Sequence, residues 1–193
     1  MSLKAGTILD SVENAVRDSK KTDNSLDILI ALHACDTATD DALWSGLCRG
    51  VDLIVVAPCC HKQIRPQLNT HYSAKSQTHP LADILKHGVY RERLSETVTD
   101  SLRALLLERA GYKVQVFEFI GGEHTSKNVM ITAVKDRPAM DVESVCEQIQ
   151  ALAAFYGIRK QRLAEWMGED IGTPSGIGKN ARLATQMPPP SAE

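Results

Sequence analysis

What the chain lacks narrows it first. No apolar run approaches the roughly 20 residues that a membrane-spanning helix needs, and segments such as Ile28–Leu32 fall far short. No charged, apolar and small-residue leader opens the sequence, so no secretory signal is expected and the chain reads as cytoplasmic. Charge of one sign is lacking too: 22 Lys and Arg against 24 Asp and Glu leave a net charge of −2. That excludes the broad positive field of a dedicated nucleic-acid or membrane binder, though not a local basic groove. Cysteines come in an odd number, 5, with Cys59 and Cys60 adjacent; in a nonsecreted chain these read as thiols, not staples. What is present, 43% apolar and 24% charged residues over 193 positions, suffices for a core. It suits one folded unit with small appendages.

Asp27–Ala34 is apolar on both alternating faces, which predicts a parallel-sheet strand covered on both sides. A short helix is expected before it, around Val12–Asp18. After the strand, Thr37 or Thr39 can cap a crossover helix, Asp40 and Asp41 favour its positive end, and Gly50 stops it. A second apolar run, Leu53–Ala57, must end at Pro58, which has no amide hydrogen for a ladder. From Pro58 to Gly88 the chain is mostly polar, with Lys75, His71 and His79, and reads as a long functional loop. Leu94, Val98, Leu102 and Leu105 then recur at helical spacing, and Lys113–Ile120 and Val129–Val134 read as a hairpin joined through Gly121–Asn128. Asp141–Phe155 and Ile158–Met167 are the last helices. The expected fold is α/β, its last strand antiparallel, with C-terminal helices. Residues 4–138 form the α/β domain, 139–168 a helical extension and 169–193 a frayed tail.

In an open parallel sheet, ligands bind beyond the carboxyl ends of the strands. That rule selects His33, Cys35 and Asp36 after the first strand and Cys59, Cys60, His61 and Lys62 after the second. It also selects Glu123, His124, Thr125, Lys127 and Asn128 in the hairpin loop, provided that loop lies close in sheet order. Each has a plainer reading: His33 as a core histidine, Cys35 and Cys59 as small buried hydrophobes, Asp36 as a turn residue, and Lys62 and Arg65 as solvated charges. Gly176, Gly178 and Lys179 do not make a phosphate loop, because Thr173 and Asn180 stand where that motif needs glycine and a hydroxyl. Zinc on His33 and Cys35 together with Cys59, Cys60 and His61 is an alternative that the spacing disfavours, since zinc sites favour pairs two to four residues apart and adjacent cysteines rarely both ligate one ion. A Cys59 thiolate beside His61 and Lys62 would be a nucleophile. Arg159, Lys160 and Arg162 with Tyr156 and Trp166 offer a noncatalytic alternative, an RNA- or protein-binding face.

Four segments, His33–Asp41, Ala57–Lys62, Thr99–Arg103 and Glu123–Asn128, read His-Ala-Cys-Asp-Thr-Ala-Thr-Asp-Asp, Ala-Pro-Cys-Cys-His-Lys, Thr-Asp-Ser-Leu-Arg and Glu-His-Thr-Ser-Lys-Asn. In this order they resemble the carboxyl half of bacterial class I methyltransferases that use S-adenosylmethionine. The resemblance spans about Gly6–Val134 and implies strands four to seven of a Rossmann-like sheet. It implies that His33, Cys35 and Asp36 face the cofactor's methyl group, and that Pro58, Cys59, Cys60, His61 and Lys62 wall the acceptor pocket. Asp36 or His61 would take the acceptor's proton, while Lys62, His124, Lys127 and Asn128 would orient an acceptor in RNA or protein.

The departure is upstream. No glycine-rich turn precedes Asp27, and only 26 residues stand there, whereas three further βα units need on the order of 90. The expectation is an acceptor-side half with weak or absent cofactor binding. It would be a homodimer, or the complement of an amino-terminal half, because the first strand becomes a free edge.

Overall fold

The computed structural model describes residues 27–74, 81–118, 128–135 and 141–172. The expected helix at Val12–Asp18, the glycines and lysine near 176–179 and residues 173–193 of the tail lie outside these residues. So do Lys75, His79, Glu123, His124, Thr125 and Lys127. The start of the expected frayed tail is packed: Ile171 is buried in the core and Glu169 pairs with Arg109.

Strand β1 (Ile28–Leu32) leads through helix α1 (Thr37–Arg49) to β2 (Leu53–Ala57), and the two strands pair in parallel, Ile28 beside Leu53 and Leu32 beside Ala57. The crossover helix stops where expected: Gly50 takes the left-handed conformation at φ 59°. Its start differs. Asp36 occupies the N-cap position but its side chain caps nothing in α1, and Thr39 donates its hydroxyl back to the Ala34 carbonyl at 2.5 Å.

The polar stretch after Pro58 is not one long loop. It holds helices α2 (Arg65–Ala74) and α3 (Ala82–Leu85) before the long α4 (Gly88–Arg109). Leu68 and Tyr72 on α2 and Leu85 on α3 are buried in the core, so a few well-placed apolar residues fix helices within a sequence rich in polar ones. Strands β3 (Tyr112–Glu118) and β4 (Val129–Lys135) form the expected hairpin. The sheet order is β1-β2-β4-β3, with β4 antiparallel to both neighbours.

One face of this sheet carries Leu29, Ile54, Val56, Ile131 and Ala133, which pack with Leu43 of α1 and Leu102 and Leu106 of α4. The other face corrects the expectation of a strand covered on both sides. Ile28, Ile30, Leu32, Phe117 and Val134 lie there exposed, Ile30 at 65%, and the register brings Ile30 beside Val55 and Phe117 beside Met130. Among the described residues, β1 pairs with β2 alone.

Helices α5 (Val142–Tyr156) and α6 (Arg162–Trp166) complete the same core through Val145, Ile149, Ala153 and Leu163. Asp141 caps α5 by accepting from the Ser144 amide. Gly157 ends it at φ 67°, where a Cβ would lie 2.2 Å from His71 Nδ1, so only glycine fits.

Candidate functional site

Two short connections meet beyond the carboxyl ends of β1 and β2. After β1 the backbone turns sharply: His33 and Asp36 both take positive φ, 59° and 53°, without being glycine. Such residues cost about 1–3 kcal/mol each and persist only where the surroundings hold them. Here the surroundings are visible. The Asp36 carboxylate receives hydrogen bonds at Oδ1 from the amides of Lys62, 2.8 Å, and Gln63, 3.0 Å, and Asp36's carbonyl receives Arg103 Nη2 at 2.8 Å. The segment after β2 is thereby tied to the segment after β1.

Below this junction lies a buried ionic network. Arg103, fully buried on α4, donates through Nε and Nη2 to the two carboxylate oxygens of Asp40 at 2.9 and 2.7 Å, and through Nη1 to Asp100 at 3.0 Å. Burial alone would lower the guanidinium pKa. The two carboxylates more than reverse this, and it lies above its ordinary value. Asp100 also holds His61, whose Nε2 stands 3.0 Å from each carboxylate oxygen. Gln161 Nε2 donates to Asp40 while its carbonyl oxygen accepts from the Ala164 amide, so α6 is fastened to the start of α1. Arg162 and Trp166 both donate to Asp41, Arg162 lies 4.4 Å over the Trp166 ring, and Trp166 stacks on Trp44 with centroids 6.3 Å apart.

These contacts sort the expected site residues. Asp36, Cys35, Cys59, Cys60 and Lys62 come together at the rim, and Asn128, just ahead of β4, comes to the same end of the sheet because β4 lies antiparallel beside β2. His33 is exposed beside them, not a core histidine. His61 is a correction: it is only 4% exposed and turns inward to Asp100 instead of standing on an open lip. His124 and Lys127 lie outside the described residues. Of the basic patch, Arg159 and Lys160 are exposed, but Arg162 and Trp166 are engaged with Asp41.

Sequence reasoning gave Asp40 only a place at the positive end of the crossover helix, quoted Asp100 and Arg103 within a motif without assigning either a role, and passed over Gln161. The signal was a charged pair three residues apart on an apolar helix stripe, Asp100 and Arg103, which has to find partners once buried.

Three thiols crowd the rim. Cys35 Sγ lies 3.1 Å from Cys59 Sγ, Cys59 Sγ lies 3.9 Å from Cys60 Sγ, and all three fall within 4.8 Å of one another. No cysteine of the chain forms a disulfide. Hydrogen bonds from Cys59 and Cys60 lower the Cys35 pKa, opposed by burial and Asp36 and helped by Lys62. The same bond to Cys35, together with burial, pushes Cys59 up to about 12. Of these two thiols, Cys35 is therefore the more acidic.

A cavity of about 610 Å³ lies elsewhere, between α2 and the end of α5, lined by Gln67, Thr70, His71, Gly157 and Arg159. It shares no residue with the rim.

A family model described as a methyltransferase domain matches residues 3–67, a span that takes in β1, α1, β2 and the Cys59–His61 turn. This match supports a methyltransferase relationship and methyl transfer in general. No curated protein and no solved structure matches the chain. Among the described residues, no helix is long and apolar enough to cross a membrane.

Proposed function

We propose that this chain is the acceptor-side half of a bacterial, class I methyltransferase with a Rossmann-like sheet. It takes its methyl group from S-adenosylmethionine and delivers it to RNA or protein. The observation that carries the reading is the rim itself. The methyltransferase match covers the two parallel strands, and Asp36 and Lys62 are locked together where a parallel sheet binds its ligands. The order β1-β2-β4-β3, with its last strand reversed, suits strands four to seven of such a sheet.

The described residues supply one wall for adenosylmethionine and no enclosing cradle. The 610 Å³ cavity lies away from the rim, and among the described residues nothing pairs with the outer edge of β1 or covers its apolar face. The cofactor pocket is then completed by polypeptide that pairs with β1, either an amino-terminal half or a second copy.

What these residues do is position the acceptor. Lys62, exposed at the rim, offers a positive charge to a phosphate or carbonyl, and Asn128 adds amide hydrogen bonding. Asp36 holds the two connections through Oδ1, so a proton from the acceptor would go to Oδ2. His61 acts through Asp100, as a positioning residue.

The test adds the purified chain and tritium-methyl adenosylmethionine to an extract of the source cells, which supplies acceptors and any complementing half. Label above that of extract alone is expected, with sensitivity to ribonuclease or protease naming the acceptor. It should fall at least about tenfold with Lys62→Glu. No added label would overturn the proposal.

A further inference from the structure

We infer that Cys35, Cys59 and Cys60 form a zinc site, a three-thiolate set on the rim with a fourth coordination position left open. The inference stands apart from methyl transfer, since the same three residues would hold the ion whatever the chain's reaction.

Zinc–thiolate bonds are about 2.3 Å, so thiolates sharing one zinc ion lie about 3.8–4.0 Å apart. The three sulfurs here, 3.1 and 3.9 Å apart along the chain of contacts and all within 4.8 Å, bracket that separation. Only small rotations about the Cβ–Sγ bearing bonds are needed to seat an ion between them. The spacing objection to adjacent cysteines falls on geometry. Pro58 ends the ladder, and the turn after it leaves the Cys59 and Cys60 sulfurs on the same side, 3.9 Å apart.

The third ligand comes from a different connection, the turn after β1. Cys35 sits between two positive-φ residues, His33 and Asp36. The Asp36 bonds to Lys62 and Gln63 clamp its loop against the one carrying Cys59 and Cys60. The ligand set is thus held in place before any ion arrives, and each connection is anchored to a buried network through Arg103 or His61.

His61, a ligand in the alternative that sequence suggests, turns its Nε2 to Asp100 and is not one of the group. Chemistry selects the ion: three soft sulfur donors without carboxylate favour zinc over magnesium or calcium. Each zinc–sulfur bond formed replaces a sulfur–hydrogen bond, and up to three protons pass to solvent. The resulting complex carries one negative charge, and Lys62 lies close enough to act on Cys35. Cys35 is exposed and its two partners are half-buried, so the ion has an entry path.

The experiment uses the full chain, reduced and stripped of metal with a chelator, then mixed with zinc chloride and freed of excess. One equivalent of bound zinc is expected. Cobalt(II) in its place should give the intense visible bands of tetrahedral coordination and a thiolate-to-cobalt charge-transfer band. Cys35→Ser, Cys59→Ser and Cys60→Ser should each weaken binding by at least about 100-fold, the upper end of what loss of an outer partner costs. The double variant Cys48→Ser, Cys146→Ser should bind as the parent does. Because Cys35 is exposed, Cys35→Ser should keep the parent's circular dichroism even where Cys59→Ser does not fold. Well under one equivalent of zinc, a cobalt spectrum without the charge-transfer band, or a folded Cys35→Ser that binds as tightly as the parent would each overturn the site.

Discussion

The Asp36 carboxylate reaches from the turn after β1 to the Lys62 amide beyond β2, 2.8 Å away, and so closes the two strand ends into one rim. An aspartate at the N-cap of a helix ordinarily turns back on that helix. This one faces away from α1 and serves the neighbouring connection, which is why the strained turn at φ 53° survives.

Asp36→Ala removes the acceptor of two amides and relieves no backbone strain. It should lower unfolding free energy by about 1–3 kcal/mol in urea titrations. Asp36→Asn, which keeps an oxygen in place, should recover most of that loss. Equal destabilisation by both would mean the carboxylate's charge, not its geometry, holds the rim.

Arg103 lies between Asp40 and Asp100 with no access to water. Arg103→Met strands two carboxylates in the interior and should cost about 3–5 kcal/mol. Arg103→Lys should also destabilise strongly, because an ammonium cannot reproduce the paired contact to Asp40. Thermal or urea unfolding measures both, and a Lys variant as stable as the parent would contradict the network.

Reactivity should separate the thiols. Cys35 has a pKa below the ordinary 9.0 and Cys59 one pushed up to about 12, so Cys35 gives up its proton more readily than Cys59. In the reduced, metal-free chain, iodoacetamide should label Cys35 first, and the midpoint of its rate–pH curve should lie below 9.0, while Cys59 lags throughout. Mass spectrometry of the digested protein reads the order. Cys59 labelling ahead of Cys35 would restore it as the nucleophile.

The edge and face of β1 that no described residue covers should drive association, for an exposed apolar strand is a template for pairing. Light scattering should show the chain as a dimer or larger. Ile30→Lys, at the most exposed of these positions, should shift it towards monomer while changing stability by less than about 0.5 kcal/mol. A parent that stays monomeric at high concentration would show that some other segment covers the edge.

The sequence by itself determined the strands, the crossover and the hairpin. Apolar runs ended by Pro58 and Gly50, and the alternation of Val129–Val134, are local signals whose cause lies in the residues themselves. It also brought Cys35, Asp36, Cys59 and Lys62 to one edge, because a parallel pair must present both carboxyl ends together. The helices within Pro58–Gly88 were not legible, since their anchoring residues Leu68, Tyr72 and Leu85 are scattered among polar neighbours.

Only the tertiary structure decided that His61 turns inward to Asp100, that Asp40 and Gln161 share Arg103's network, and that Cys35 joins the adjacent pair. These contacts cross 24 to 121 positions of chain. Their geometry depends on how α4 and α6 pack against the sheet, which no local pattern encodes. The open face of β1 belongs to the same class: alternation shows that a strand is apolar on both sides, and packing alone shows which side is covered.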